Sequence, residues 1–392
     1  MFETLSYFTL QQYWWFLVSV LWAALIFMMF VQWWQAIFMR VWKTEDQKDF
    51  IINAIWKHHK LTFSILVTFW WAIFASFPIF YATSFGWAYL VWMAILFLFI
   101  AQSVSFEYRK KENNFLWQKT YDIFLFLNWF LVPLLLWVAV WTFFTWSNFI
   151  IETSNLVNWF WTNIHIASWT TWTHGLEALW NTTNWWFILN IALWLALAFL
   201  VQILALLYIM NHVKDKAIVD NAHKCLLLKT LMFLVVFLIF VFKLMTISWF
   251  AYDSNTMMMV IENYKYLHNL LDSPYIYSLF MWGTFLVLLW IWLWIFAKSR
   301  NGFWFTWLGT FSVVLSVFLL AWFNWTSFYP SLVDLQSSLT IQNASSSYYT
   351  LIVMSYVSLM LPFVLLYIIW AWKVIAGKQM TKTELNKWLE KY

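Results

Sequence analysis

Cysteine, glycine and charge are all scarce in this chain of 392 residues. One cysteine, Cys225, excludes an internal disulfide and any cysteine-based metal cluster. Charged residues make up 10% of the chain, where a soluble domain carries roughly 25%. There is no HExxH or CxxC pattern and no glycine-rich phosphate loop, and His165, His174, His212, His223 and His268 lie in connectors at irregular spacing, so nothing points to a metal site. The net charge of +5 is spread over short connectors rather than gathered in one patch, which argues against nucleic acid as a partner.

What is abundant is apolar: 64% of residues are hydrophobic and 24% aromatic. Apolar runs long enough to cross a bilayer recur along the whole sequence. They fall at about 11–39, 61–83, 85–104, 121–145, 185–210, 226–250, 275–297, 303–325 and 349–376. In lipid a run this apolar satisfies its backbone only as a helix, and the runs lack the alternation of a lipid-facing barrel. The sequence therefore predicts an all-α polytopic membrane protein with nine spans. The first run is too long for the core of a signal peptide and is expected to stay as a membrane helix. Residues 1–376 are expected to form one membrane domain, and 377–392 a short tail with a surface helix begun by Thr381 or Thr383.

The connectors alternate in charge. Arg40, Lys43, Lys48, Lys57 and Lys60 occupy 40–60; Arg109, Lys110, Lys111 and Lys119 occupy 105–120; Lys214, Lys216 and Lys224 occupy 211–225. Lys298 and Arg300 follow, and the tail carries Lys378, Lys382, Lys387 and Lys391. Between these, 146–184 and 326–348 hold no Lys or Arg and 251–274 holds only Lys265. Positive charge collects on the cytoplasmic side, so the N-terminus is expected outside and the C-terminus in the cytoplasm.

Tryptophan is the anomaly. Thirty-six Trp stand against six Gly, where average usage gives roughly 27 Gly in a chain of this length. Membrane helices normally carry more glycine than soluble ones, and Trp collects at the interfaces. Here Trp33, Trp34, Trp70, Trp71, Trp92, Trp194, Trp290 and Trp292 lie inside predicted spans. Two explanations stand: a genuine aromatic bias, or a UGA codon written as Trp in a gene whose host reads it as Gly.

The stretch Ile52–Lys111 carries a family likeness. It contains Asn53, Ile55 and His58; then Trp70-Trp71-Ala72, Phe74-Ala75-Ser76, Pro78 and Tyr81-Ala82; then Phe106-Glu107-Tyr108-Arg109. In this order the residues resemble subunit II of the cytochrome bd-type quinol oxidases, and the paired Trp fall on that family's paired glycines. Trp14-Trp15, Tyr329-Pro330-Ser331, Ser338-Leu339-Thr340, Asn343-Ala344-Ser345-Ser346 and Leu361-Pro362 extend the resemblance over nearly the full length. The middle, 146–275, matches mainly in helix pattern. The resemblance implies a bundle of two four-helix groups plus a peripheral helix in the bacterial plasma membrane. It also implies a haem-free subunit of a respiratory complex that oxidises quinol and reduces oxygen to water. The large subunit I would then hold the haems, b and d, and bind quinol, while this chain scaffolds it and helps conduct protons. No cofactor is expected in this chain.

The likeness is incomplete. The family's acidic first-helix motif reads Met29-Phe30-Val31-Gln32-Trp33-Trp34-Gln35-Ala36 here, without a carboxylate, and Lys60 stands for a family Asp. Ala101-Gln102 replaces the family's Arg-Pro. Losing these acids puts a subunit II proton path in doubt, because a relay needs groups that gain and lose protons. Six residues remain as candidate proton-path or partner-facing sites. His58, beside His59, is either a proton entry or part of a basic interfacial cluster with Lys57 and Lys60. Gln32 and Gln35 share a helix face and serve as interhelical hydrogen-bond groups or hold a water chain. Glu107 and Arg109 read as an interfacial ion pair or as a structural contact to the partner. Lys243, inside a span, either snorkels outward or holds a paired functional charge. A reading from another class, a polytopic transporter or channel, predicts intramembrane charges and paired broken helices.

Overall fold

The computed structural model describes residues 2–33, 41–56, 58–87, 89–111, 114, 116–144, 147–152, 167–169, 186–253, 256, 258–297 and 302–376. Gln35, the tail and most of the connector 146–184 lie outside them. The apolar runs are helical, as their pattern requires. The chain begins with α1 (Tyr7–Met28) and α2 (Phe30–Trp33), then α3 (Glu45–Trp56), α4 (His59–Ser76), α5 (Pro78–Trp87), α6 (Tyr89–Tyr108) and α7 (Trp117–Phe144). After two short strands come α8 (Trp186–His212), α9 (Lys216–Thr246), a hairpin, α10 (Lys265–Asp272), α11 (Pro274–Ala297), α12 (Gly302–Leu320), α13 (Ile341–Ala344), α14 (Tyr348–Ser358) and α15 (Leu361–Ala376).

Among the described residues eight stretches are long and apolar enough to cross a membrane: α1, α6, α7, α8, α9, α11, α12 and α14–α15 taken together. The ninth expected span, 61–83, is not one helix. It breaks at Phe77, whose backbone leaves the helical region (φ −131°, ψ 65°), because Pro78 disfavours a helical residue before it. α4 ends there, with Ser76's carbonyl accepting from the Ser346 N–H at 2.8 Å, and α5 begins at the proline. α4 alone rises about 27 Å.

α1 is the central element. It packs against α4, α12, α13 and α14, and it is tied to the far end of the chain. Trp14 Nε1 donates to Ser355 Oγ at 3.0 Å, Trp15 Nε1 to the Phe318 carbonyl at 3.0 Å, and Gln11 Nε2 to Ser345 Oγ at 2.6 Å. Tyr7 Oη donates to the Ser346 carbonyl at 2.7 Å. Around it stand three tight antiparallel pairs, α6–α7, α8–α9 and α11–α12. The last depends on glycine: a Cβ on Gly283 would lie 2.9 Å from the Gly309 carbonyl, and one on Gly309 2.8 Å from the Gly283 carbonyl. With no hydrophobic drive between helices in lipid, this close approach supplies the packing. α9 and α15 turn Leu231, Val235, Leu238, Phe242, Phe363, Leu366 and Trp370 outward, an apolar surface fit for a bilayer.

The basic connectors meet at one end of the bundle and the cation-poor ones at the other. Lys48 reaches Asp122 at 3.0 Å, and Asn221 Nδ2 donates to the Val41 carbonyl at 3.3 Å. At the opposite end two small antiparallel sheets depart from a purely helical fold: β1 (Phe149–Ile151) with β2 (Ala167–Trp169), and the hairpin β3 (Trp249–Asp253) with β4 (Met258–Glu262). Trp249 Nε1 donates to the Ser327 carbonyl at 2.8 Å, and Asn269 Nδ2 donates to the Leu320 and Phe323 carbonyls and to Thr326 Oγ1. Lys243 lies in the last turn of α9, where a cation suits the helix C-terminus.

Candidate functional site

Two of the polar groups that the sequence singles out, Arg109 and His58, lie at the basic end in two adjoining clusters. The first is an ion-pair network. α3 presents Glu45, Lys48 and Asp49 on successive turns, because helix neighbours lie three or four residues apart. α6 ends at Tyr108, delivering Arg109, and the first turns of α7 supply Asp122. Arg109 Nη1 donates to Asp49 Oδ1 at 2.6 Å and Nε to Asp122 Oδ1 at 2.6 Å, while Nη2 stands 3.8 Å from Glu45 Oε2. Lys110 donates to the other oxygen of Asp49, and Lys48 Nζ to Asp122 Oδ2 at 3.0 Å. Three cations thus meet three carboxylates. Arg109 and Asp49 are nearly sealed from solvent, at 4% and 6% exposure.

Burial works against the Arg109 charge; the hydrogen bonds and charges of Asp122 and Asp49 outweigh it and raise its pKa above the ordinary value. The planar guanidinium serves two carboxylates in fixed, different directions. The expected pairing of Glu107 with Arg109 is corrected by this geometry. Residues two apart on a helix do not face each other; Arg109 pairs with Asp49, Asp122 and Glu45, while Glu107 lines a pocket with Asp49, Ile52, Phe106, Arg109, Lys110 and Lys111.

The second cluster surrounds His58, which is fully buried where α3 gives way to α4. Its Nδ1 lies 3.3 Å from Tyr208 Oη on α8, and Tyr208 Oη donates to the Ala54 carbonyl at 3.2 Å. With the phenol proton given to Ala54, the His58 Nδ1–H donates to the phenol oxygen. The ring of Trp372, from α15, packs on His58 at 4.2 Å. His212 stacks on Tyr208 at 4.1 Å and donates Nδ1–H to the Tyr208 carbonyl at 3.0 Å. Thr62 Oγ1 donates to the His58 carbonyl at 3.3 Å. His59 turns the other way, to Ser103 Oγ on α6 at 2.6 Å, with Phe99 and Phe106 beside it.

Asn53 and Gln102 are buried in the same region. Neither has a hydrogen-bond partner for its amide among the described residues. Such amides are costly unless bonded to water or another chain. Lys60, by contrast, is exposed, and its carbonyl accepts from Ser64 Oγ at 2.9 Å. Gln32 sits in α2.

Of the expected residues, the structure brings His58 and Arg109 into buried polar clusters at one end and leaves Lys60 at the surface. Asp49, Asp122, Tyr208, His212 and Trp372 are additions. No local motif marks them, since Tyr208 lies 150 residues from His58. The only sequence signal is that each acid stands beside an apolar run at a basic connector. Among the described residues no group of three or more His, Cys, Asp and Glu is arranged as a metal would need. The arrangement clamps charge at Arg109 and holds the His58 imidazole against the Tyr208 phenol.

Comparison with known proteins bears on this arrangement. The family model described as cytochrome bd terminal oxidase subunit II matches residues 10–375. The "Probable cytochrome oxidase subunit 2" of Haemophilus influenzae is 35% identical over 97 residues, 25% of this chain and 26% of that protein. The "Cytochrome bd-I ubiquinol oxidase subunit 2" of Escherichia coli is 29% identical over 97 residues, again 25% and 26%. The "Cytochrome bd ubiquinol oxidase subunit 2" of Bacillus subtilis is 28% identical over 137 residues, 35% of this chain and 40% of that protein. The chain thus spans about a quarter to two fifths of the curated relatives it matches.

Proposed function

Since the chain belongs to the cytochrome bd terminal oxidase subunit II family, we propose that it is the haem-free small subunit of a quinol:oxygen oxidoreductase in a bacterial plasma membrane. Its partner is a large subunit I that carries haems b and d and binds quinol. The basic end faces the cytoplasm and the N-terminus faces outward. α4 is the ninth span, and the helices form two four-helix groups with one peripheral helix. Residues 1–376 act as one membrane domain, followed by a cytoplasmic tail.

The chain's main part in this reading is to scaffold. The single observation that carries it is the Arg109 clamp, which joins two connectors, 40–60 and 105–120, to the first turns of α7 around a buried guanidinium. A clamp of that kind sets the spacing of α3, α6 and α7. Its other part is a short proton entry at His58, whose imidazole is held by the Tyr208 phenol. Gln32, in α2, and Gln35 would extend that entry in place of the family's carboxylates. Lys60 and Glu107 face the cytoplasmic surface, where they tune the local charge or meet the partner.

The test is co-purification. The full chain is produced with the membrane protein encoded beside it, and the complex is assayed for haem absorption and quinol-dependent oxygen consumption. A haem-bearing complex that loses activity when this chain is omitted supports the reading. A chain that purifies alone and moves solutes in vesicles overturns it in favour of a transporter.

A further inference from the structure

The two explanations of the tryptophan excess differ in what the backbone must do. A genuine aromatic bias leaves each Trp in a conformation an indole tolerates; a misread glycine leaves some in conformations that only glycine adopts freely.

Four non-glycine residues among those described have a positive φ, and two of them are Trp: Trp117 at 56° and Trp325 at 60°. For a bulky residue this region is an outlier, whereas glycine enters it at no steric cost. Trp117 is 79% exposed at the start of α7, so little packing holds it there.

Trp325 is more telling. It follows Asn324, also left-handed at φ 56°, ψ 45°, and the Thr326 N–H closes the turn on the Phe323 carbonyl at 3.2 Å. Two consecutive left-handed residues inside one closed turn make a type I′ turn, and its favoured pair is Asn-Gly. Written as Asn-Trp, the pair puts an indole where the turn prefers no side chain, even though Trp325 also stacks on Phe8 at 5.7 Å.

Packing gives an independent sign. Trp70 meets Phe85 at 3.7 Å between ring centroids and Trp92 at 4.1 Å, both edge to face at 83° and 89°. Edge-to-face rings need about 4.5–7 Å. By contrast Trp14, Trp15 and Trp249 are buried with their indole N–H bonded to the chain, as settled tryptophans are. The demand for glycine has not lapsed either, since Gly283 and Gly309 stand where a side chain would strike the facing helix.

We infer that positions 70, 117 and 325 are glycine in the protein as its own cell makes it, with UGA read there as glycine, while Trp14, Trp15 and Trp249 are true tryptophans. The test is peptide mass spectrometry of the protein from source-cell membranes, alongside the gene's codons. The expected result is glycine in the peptides covering 117 and 325, UGA codons at 70, 117 and 325, and UGG at 14, 15 and 249. A tryptophan mass at 117 or 325, or a UGG codon at either, overturns the inference.

Discussion

Removing the Arg109 guanidinium is the sharpest perturbation of the basic end. In Arg109→Ala, Asp49 keeps only Lys110 and Asp122 keeps only Lys48. Breaking a buried pair by deleting one partner costs about 3–5 kcal/mol. The surviving lysines and the 25% exposure of the Asp122 side chain place the expected loss at the lower end, about 3 kcal/mol. Arg109→Lys keeps the charge and forfeits one of two charge-assisted hydrogen bonds, a loss of roughly 2 kcal/mol. Glu107→Gln removes a carboxylate that Arg109 does not use, so it should change stability by less than about 0.5 kcal/mol. The assay is the fraction of full-length chain left folded after graded heating in membranes, read for each variant and for Arg109→Ala combined with Asp49→Asn. The order of loss should be Ala, then Lys, then the Glu107 variant, and the double variant should lose less than the sum of its singles. Equal losses for Glu107→Gln and Arg109→Ala, or strict additivity with Asp49→Asn, would refute the clamp.

Tyr208→Phe should cost about 1 kcal/mol, because it removes the hydroxyl shared by Ala54 and His58; the same heating series reads it. His58→Phe should keep the packing against Trp372 yet slow proton uptake during turnover of the complex, and unchanged uptake would confine His58 to a structural part. Gly309→Ala forces a Cβ against the Gly283 carbonyl and Val287, and should cost about 1–3 kcal/mol by overpacking, visible as earlier heat loss. Glu262, in the hairpin, feels burial pushing its pKa up, but hydrogen bonds and charge from Lys265 and His268 hold it below the ordinary 4.5. A depressed carboxylate stabilises fully above its unfolded value and stops doing so as pH falls through the folded one. Hydrogen exchange across 249–272 should therefore speed up below about pH 4.5 in the native chain, and much less in Glu262→Gln.

The helical architecture was legible because lipid allows an apolar run few alternatives. Boundaries were less so. α9 starts at Lys216, ten residues before the run that announced it, because its first turns carry charge outside the bilayer and Asp215 caps them. The split of 61–83 was written in Pro78 but lost among the surrounding apolar residues. The short strands leave too few residues for an alternating pattern to register. At the site, His58 and Arg109 were legible through a family likeness, whereas their partners were not. Sequence proximity suggested Glu107 for Arg109; the fold supplied Asp49 from 60 residues away.

The bonds from Trp14 to Ser355 and from Tyr7 to Ser346 span more than three hundred residues. Trp14 and Tyr7 therefore find these partners only once residues 346–355 are in place. Contacts this remote in sequence are slow to form. A chain cut short before residue 346 keeps the docking of α1 on α4 and α12 but leaves Tyr7 and Trp14 without these bonds.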